Sequence, residues 1–420
     1  MNMSAEVTAR EPVRKERMTW VDIIKATSVV LVVLLHVTQS LAFAVDGTVV
    51  EGFWNAVMTF LEPLRMPVFF VVSGILASSA VKRPWSNTKA RTVGILYLYL
   101  LWHTLLTFFA IIVDLVAKGY TQGMVVDSLY DYFFQIFLTP GGYWYFYALV
   151  LYFVLARLLR NFNPWLVLGV AASLNLARPL VSETINSVLA PLGVSNMMAA
   201  VVMNAGYFLA GVYLVQFFKD YAIRNDSQLL VGTATVAILG SLARMISPQV
   251  AAASFLPIAI AWVLTAILVA VRLQDNERVV AFGRYVGPRT LPIFVIQFVV
   301  LDVVYTVLGL TGGPLLNASP LLQFIYPVAL TLAITVLSLW VYDKAITRRG
   351  FRRLFKAPEA WTARPVVASP ADAVAAAQAP ADSEGTGGSQ QPAVAADDVP
   401  AVPAERDHRS TGDLPVVRHW

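Results

Sequence analysis

Ten apolar stretches, each about as long as a bilayer's hydrocarbon core is thick, decide what this chain can fold into. A helix rises about 1.5 Å per residue, so roughly 20 apolar residues cross the core. Stretches that meet this need fall near 20–45, 55–80, 93–116, 143–160, 164–180, 199–218, 229–246, 255–272, 290–310 and 324–346. In lipid the backbone amides of such a run must be satisfied within the segment itself, which selects helices. The expected fold is therefore all-α, a polytopic membrane bundle of about ten transmembrane helices. The 164–180 stretch is short and ends in LARPLV. Residues 124–138 (MVVDSLYDYFFQIFL) read as an amphipathic helix on the membrane surface rather than a span.

Charge placement orients the bundle. The N-terminus and the loops near 81–91, 157–160, 219–224, 272–289 and 344–356 hold 22 Lys and Arg, whereas the alternate loops hold only Lys118, Arg178 and Arg244. Basic loops stay cytoplasmic, so both termini are expected there, in a multi-pass protein of the plasma membrane. Arg10, Arg14, Lys15 and Arg17 precede the first apolar run as in a signal peptide. The run continues to about Val45 without an early small-residue cleavage site, so it reads as a retained helix. Residues 1–18 are then a basic cytoplasmic N-terminus and 19–350 the membrane domain. Residues 357–420, rich in Ala and Pro with nine acidic and four basic residues, read as a disordered cytoplasmic tail whose partner is unknown. Topology accounts for the positive charge of the remainder without nucleic acid.

With no cysteine in the chain, disulfides, iron–sulfur clusters, thiolate zinc sites and a cysteine nucleophile are excluded. Of four histidines, His408 and His419 lie in the tail, leaving His36 and His103 in the membrane domain. No metal site is expected, and no permanently bound cofactor.

The polar residues inside the spans carry the functional reading. At 100° per residue, Lys25 and His36 share one face of the first span, about 16 Å apart along its axis, with Asp22 one turn before Lys25. Asp22 and Lys25 fit a snorkelling pair near the membrane surface, while His36 is carried deep, where an ionisable group normally faces the bundle interior or a water-filled cavity. In the second span, FLEPLRMPVFFVVSGILASSA (60–80), Arg65 lies in the middle third of the membrane with Glu62 at i−3 as its expected partner. Pro63 and Pro67 free backbone carbonyls around it, so a polar cavity between the first two spans is expected. Ser73-Gly74 reads as a small-residue contact that lets another backbone approach.

Further along, Lys82, Arg83, Lys89 and Arg91 lead into an aromatic helix carrying Tyr97, Tyr99, Trp102 and His103. Positive-inside charge explains the bases, and they also suit a phosphate-rich cytosolic donor such as a nucleotide or coenzyme A. In GGYWYFYALV (141–150), Trp144 and its neighbours read as an interfacial anchor that can double as a stacking platform for a sugar. Gln297, in the ninth span, needs a partner within the bundle.

Taken in order, W-x-D-x-x-K-x(10)-H, LRMPVFFVVSG, R-x(5)-Y-x-Y-x-x-W, G-x-W-Y-x-Y-A-L, NAGYFLAGVYL and G-x-x-T-L-P-I-F-V-I-Q resemble the membrane-bound acyltransferase 3 family over about residues 18–350. Members move acyl groups, commonly acetyl from acetyl-CoA, onto hydroxyls of cell-envelope carbohydrates and glycolipids. The resemblance makes His36 the essential histidine and matches Arg65, Ser73 and Gly74 to the second-span motif and Arg91 to the third-span arginine. Lys25 stands where relatives usually have arginine, which loses the bidentate fork, and Gln297 stands where many have histidine. The resemblance thus implies an integral membrane O-acyltransferase. Its acceptor would be an envelope sugar or glycolipid, with His36 as general base, or alternatively as carrier of the acyl group in an acyl-histidine intermediate, and Arg65 at the oxyanion or orienting His36 through a carboxylate. Lys25, Lys89 and Arg91 would lie on the phosphates of acyl-CoA, the donor. Asp22, Glu62, Ser73, Tyr97, Trp102, Trp144 and Gln297 complete the candidate site.

Two other classes fit intramembrane Arg, Glu and His. One is a transporter or flippase of an envelope precursor or organic acid, against which stands the missing inverted repeat. The other is a sensor or scaffold that recruits a partner through the acidic tail, which a tail deletion would separate from an enzyme.

Overall fold

The computed structural model describes residues 18–45, 47–117, 128–138, 141–189 and 197–362, and among them there is no strand. The basic residues 1–17, Lys118, the beginning of the 124–138 segment and residues 363–420 lie outside the described residues. Eighteen helices follow in order: α1 (Thr19–Val45), α2 (Val49–Val81), α3 (Lys89–Ala117), α4 (Leu129–Leu138), α5 (Trp144–Leu158), α6 (Pro164–Leu176), α7 (Arg178–Leu189), α8 (Met197–Tyr213) and α9 (Val215–Arg224). They continue with α10 (Ser227–Ala243), α11 (Pro248–Ala253), α12 (Phe255–Arg272), α13 (Glu277–Val286), α14 (Thr290–Thr311), α15 (Pro314–Ala318), α16 (Pro320–Thr347), α17 (Arg349–Arg352) and α18 (Glu359–Thr362).

All ten predicted stretches are helical, but they divide by length. Among the described residues seven segments are long and apolar enough to span alone, or up to nine if each of the bent pairs α6–α7 and α8–α9, turning by 79° and 72°, is one span. The tenth, α10, is a shorter apolar helix. The 164–180 stretch therefore does not run straight: α6 stops at Leu176 and the chain turns into α7 at Ala177. Large apolar side chains such as Phe108, Leu115, Trp165, Leu166 and Val231 stand exposed, which suits a surface facing lipid tails.

Two glycines set the closest contact in the bundle. A Cβ on Gly74 of α2 would meet the Phe208 carbonyl of α8 at 2.1 Å, and one on Gly211 of α8 would meet the Val71 carbonyl at 2.1 Å. The two backbones therefore touch directly, as the Ser73-Gly74 pair predicted. Around α1 the core is built from Ala26, Val29, Val33 and Val37 against Ile293 and Leu301 of α14 and Ile334 of α16.

The described part of the 124–138 segment is α4, whose Tyr132 ring lies 6.4 Å from that of His103 on α3. By length and composition Leu129–Asn161 makes one candidate span, with α4 ending at Leu138 and α5 beginning at Trp144. Helix ends leave carbonyls without intrahelical donors. Here the Tyr99 hydroxyl donates to the Ile136 carbonyl and Tyr147 to that of Phe137 at 2.9 Å, so two tyrosines of flanking helices satisfy the end of α4. The helix is two-sided, as its amphipathic pattern predicted, with Gln135 and Ile136 buried and Phe133 and Phe137 exposed.

The folded part also runs past the tail boundary predicted at 357. After α16 the chain doubles onto α3, where Tyr97 donates to the Arg353 carbonyl at 2.8 Å and Trp102 Nε1 to the Leu354 carbonyl at 2.8 Å. Trp361 then packs edge-on against Tyr97, with ring centroids 5.7 Å apart.

Candidate active site

His36 sits two-thirds of the way along α1, half-buried, with the Phe298 ring of α14 edge-on to it at 4.8 Å. Its Nδ1 is 3.0 Å from Gln39 Oε1. An amide oxygen can only accept, so Nδ1 carries the hydrogen and donates, which leaves the Nε2 lone pair as a base. Gln39 had not been singled out in the sequence, although its place three residues on, one turn along the same face, was the available signal.

Arg65 is 6% exposed, and its guanidinium lies within electrostatic reach of His36. Its hydrogen-bond partner is the Met58 thioether, 3.1 Å from Nη1. A thioether is a weak acceptor for a group with five donors. The expected Glu62 pairing is not made at ion-pair distance. Glu62 instead takes Arg244 Nη2 at 2.8 Å and Arg178 Nη2 at 3.4 Å, and both guanidinium groups stack on Phe255, at 4.8 and 3.9 Å from its centroid. Pro63 explains part of this: it has no N–H to offer the Thr59 carbonyl, and Arg244 Nη1 lies 3.5 Å from that oxygen. Two of the three bases predicted for the charge-poor loops thus gather on one carboxylate, 116 and 182 positions away in sequence.

Phe298 joins this region to the interrupted span. A Cβ on Gly142 would come within 2.5 Å of the Phe298 ring, so glycine lets the residues before α5 lie against the ring that contacts His36 without displacing it. The Tyr143 hydroxyl donates to the Val295 carbonyl at 3.0 Å, and Tyr145 shares a 3.0 Å hydrogen bond with Ser73. Tyr143 and Tyr145 are buried, and half-buried Trp144 tilts against Phe70 at 5.8 Å. Tyr143 and Tyr145, in the aromatic run predicted as an interfacial anchor, are thus packed into the protein core.

The remaining candidates separate into groups. Asp22 is buried and Lys25 half-buried near the start of α1, about 16 Å of helix from His36. Arg91 donates to the Leu76 carbonyl at 3.0 Å, lies over Phe153, and is within electrostatic reach of Tyr145. Lys89 is exposed at the start of α3. Tyr97 and Trp102 are engaged with the chain at 353–361, as described above. Gln297 is fully buried one turn from Ile293 and Leu301, and neither amide atom has a protein partner among the described residues. The partner expected for it is absent because the neighbouring positions on its stripe pack against aliphatic residues of α1 and α16. His103 is buried against Tyr99 and Tyr132, away from the α1–α2 group.

Two residues invisible to the sequence reading are the buried Asp302, whose charge reaches Tyr143, and Phe298. Among the described residues no three of His, Asp and Glu gather as metal ligands would. Chemically, His36 and Arg65 offer a base and, within electrostatic reach of it, a buried cation that Glu62 stabilises only from beyond ion-pair distance.

A family model described as an acyltransferase domain, acyltransferase 3, matches residues 18–343. The chain is also similar to the nodulation protein NolL of Mesorhizobium japonicum, with 28% identity over 155 residues, which is 36% of this chain and 38% of that protein. The match thus spans under two-fifths of the length of that curated relative. No solved structure matches the chain.

Proposed function

Because the chain belongs to the acyltransferase family matched over residues 18–343, we propose that it is an O-acyltransferase of the plasma membrane, moving an acyl group from cytosolic acyl-CoA to a hydroxyl of an envelope carbohydrate or glycolipid. One observation carries the reading: a histidine with Nε2 free stands near a buried arginine that no carboxylate at ion-pair distance neutralises.

In this reading His36 Nε2 takes the proton of the acceptor hydroxyl as its oxygen attacks the thioester carbonyl carbon. Negative charge then gathers on the carbonyl oxygen, where the Arg65 donors that Met58 does not occupy stabilise it. When the intermediate collapses, the carbon–sulfur bond breaks and the thiolate leaves, receiving the proton held on Nε2. Gln39 keeps the imidazole in the tautomer this requires. Lys25, Lys89 and Arg91 lie toward the basic end of the bundle, which the charge distribution assigns to the cytosol, the compartment of the donor. The acceptor reaches His36 from the opposite side. Acetyl is the simplest acyl group compatible with the site.

Purified His36→Ala protein in liposomes, given labelled acetyl-CoA and envelope glycolipid extract, is expected to transfer no label while wild type does. Full turnover by the variant would end the proposal. Movement of unmodified acceptor across the liposome by wild type, without label transfer, would favour a transporter.

A further inference from the structure

The bases that follow α16 line a cavity. Between the first turns of α3 and the segment Arg349–Thr362 lies a hollow of about 810 Å³, open at the basic end of the bundle. Arg91, Arg349, Arg352, Arg353 and Lys356 line it, with Glu359 as the acidic residue on its wall. Arg352 makes a 3.2 Å ion pair with Glu359, leaving four bases around the cavity without a carboxylate at ion-pair distance among the described residues. The floor is apolar, formed by Ile95, Leu98, Leu291 and Phe355.

Topology alone explains why bases follow a last membrane helix, but it demands neither concavity nor an apolar floor. Several cations around an oily base match a ligand with clustered phosphates attached to a flat or aliphatic body. The way the segment is held supports the same reading. Tyr97 and Trp102 grip it through the main-chain carbonyls of Arg353 and Leu354, so the guanidinium groups take no part in those two bonds.

We infer that Arg349–Thr362 forms one wall of a binding site for the phosphates of a nucleotide-bearing donor, with Arg349, Arg352, Arg353 and Lys356 facing Arg91 across the cavity. The inference rests on the acyl-donor reading above and extends it to a segment that the sequence assigned to loop and tail. From Leu76, whose carbonyl Arg91 holds, to Arg65 is eleven residues along α2, about 16 Å. A donor with its phosphates in this cavity would have to carry its acyl group on an extended arm to reach His36. Coenzyme A, with a diphosphate, a further phosphate on ribose and a long thiol arm, has that form. An anionic lipid headgroup offers the same phosphate chemistry, and the experiment separates the two.

Full-length protein in nanodiscs of neutral lipid would be titrated calorimetrically with coenzyme A and with its form lacking the ribose phosphate. The Arg352→Ala/Arg353→Ala double variant is expected to bind coenzyme A about tenfold or more weaker, with the donor KM raised in parallel and kcat little changed. The corresponding double lysine variant is expected to recover part of the affinity, and an unchanged melting temperature would show that the segment remains seated. Binding equal to wild type in the double alanine variant would overturn the inference while leaving the acyltransferase reading intact. Loss of anionic-lipid retention by that variant, with coenzyme A binding unchanged, would likewise overturn it in favour of a lipid site. Wild type that neither binds coenzyme A nor transfers label would overturn both readings.

Discussion

Glu62 and Arg65 stand three residues apart on α2, yet their surroundings are built on opposite rules. At Glu62 a carboxylate, two guanidinium groups, an aromatic face and a proline-freed carbonyl give each charge a partner at bonding distance. At Arg65 a buried guanidinium meets a thioether and an electrostatically close imidazole. An arginine inside a membrane is costly wherever it stands. The first arrangement offsets the cost with partners and holds α2 to distant parts of the chain. The second has no ion-pair partner at bonding distance and feels Glu62 only at longer range, which leaves donors open for the charge that the proposed reaction would develop.

The largest effect expected from this contrast is on turnover. Arg65→Met should lower kcat about 10³-fold, equivalent to about 4 kcal/mol of transition-state stabilisation. Its unfolding free energy in detergent should change little, because a buried cation without an ion-pair partner at bonding distance is replaced by an apolar chain of similar reach. A stable variant with near-normal turnover would erase the distinction between the two turns.

Glu62→Gln should behave in reverse, losing about 2 kcal/mol of stability with its main effect on the folded fraction. That figure is below the cost for a fully buried pair because the Glu62 side chain is 39% exposed, while that of Arg244, stranded by the change, is 4% exposed. Arg244→Met should cost less than Glu62→Gln in the same unfolding measurement, since Glu62 keeps Arg178. The opposite order would mean that the cluster is held chiefly by arginine packing on Phe255.

Gly142→Ala sharpens the comparison from the Arg65 side. Its methyl group would push the Phe298 ring, which can move, so the fold should survive while kcat falls about tenfold, or about 1.4 kcal/mol. Adding Phe298→Leu should restore part of the activity if displacement of the ring toward His36 is the cause. The smallest effect belongs to Ser73→Ala, which removes the hydrogen bond to Tyr145 at about 1 kcal/mol of stability.

Much of the bundle was legible because lipid imposes simple lengths. The ten stretches are helices, and Gly74 announced a backbone contact that it makes with α8. His36 and Arg65 were legible as a pair because each is an ionisable group where hydrocarbon forbids one without cause. The partners of Glu62 were not, since a local i−3 arginine outcompetes on paper two arginines reached only after helices fold back through the membrane. The packing of the aromatic run before α5 was hidden for a related reason. Gly-Gly beside three aromatics looks alike at an interface and inside a bundle, and only contacts such as those of Tyr143 with Val295 and Tyr145 with Ser73 distinguish them. The chain after α16 was read by its charge alone, and charge says nothing of which neighbour will supply donors to its carbonyls.

That last attachment has a consequence for how such a protein can diverge. A carbonyl is common to every residue, so Tyr97 and Trp102 hold positions 353 and 354 whatever side chains stand there. Those side chains can be exchanged, and with them the charge that lines the neighbouring cavity, without disturbing these two bonds. The history of the attachment would be written in α3, in the retention of one tyrosine and one tryptophan, while the segment they hold is free to drift.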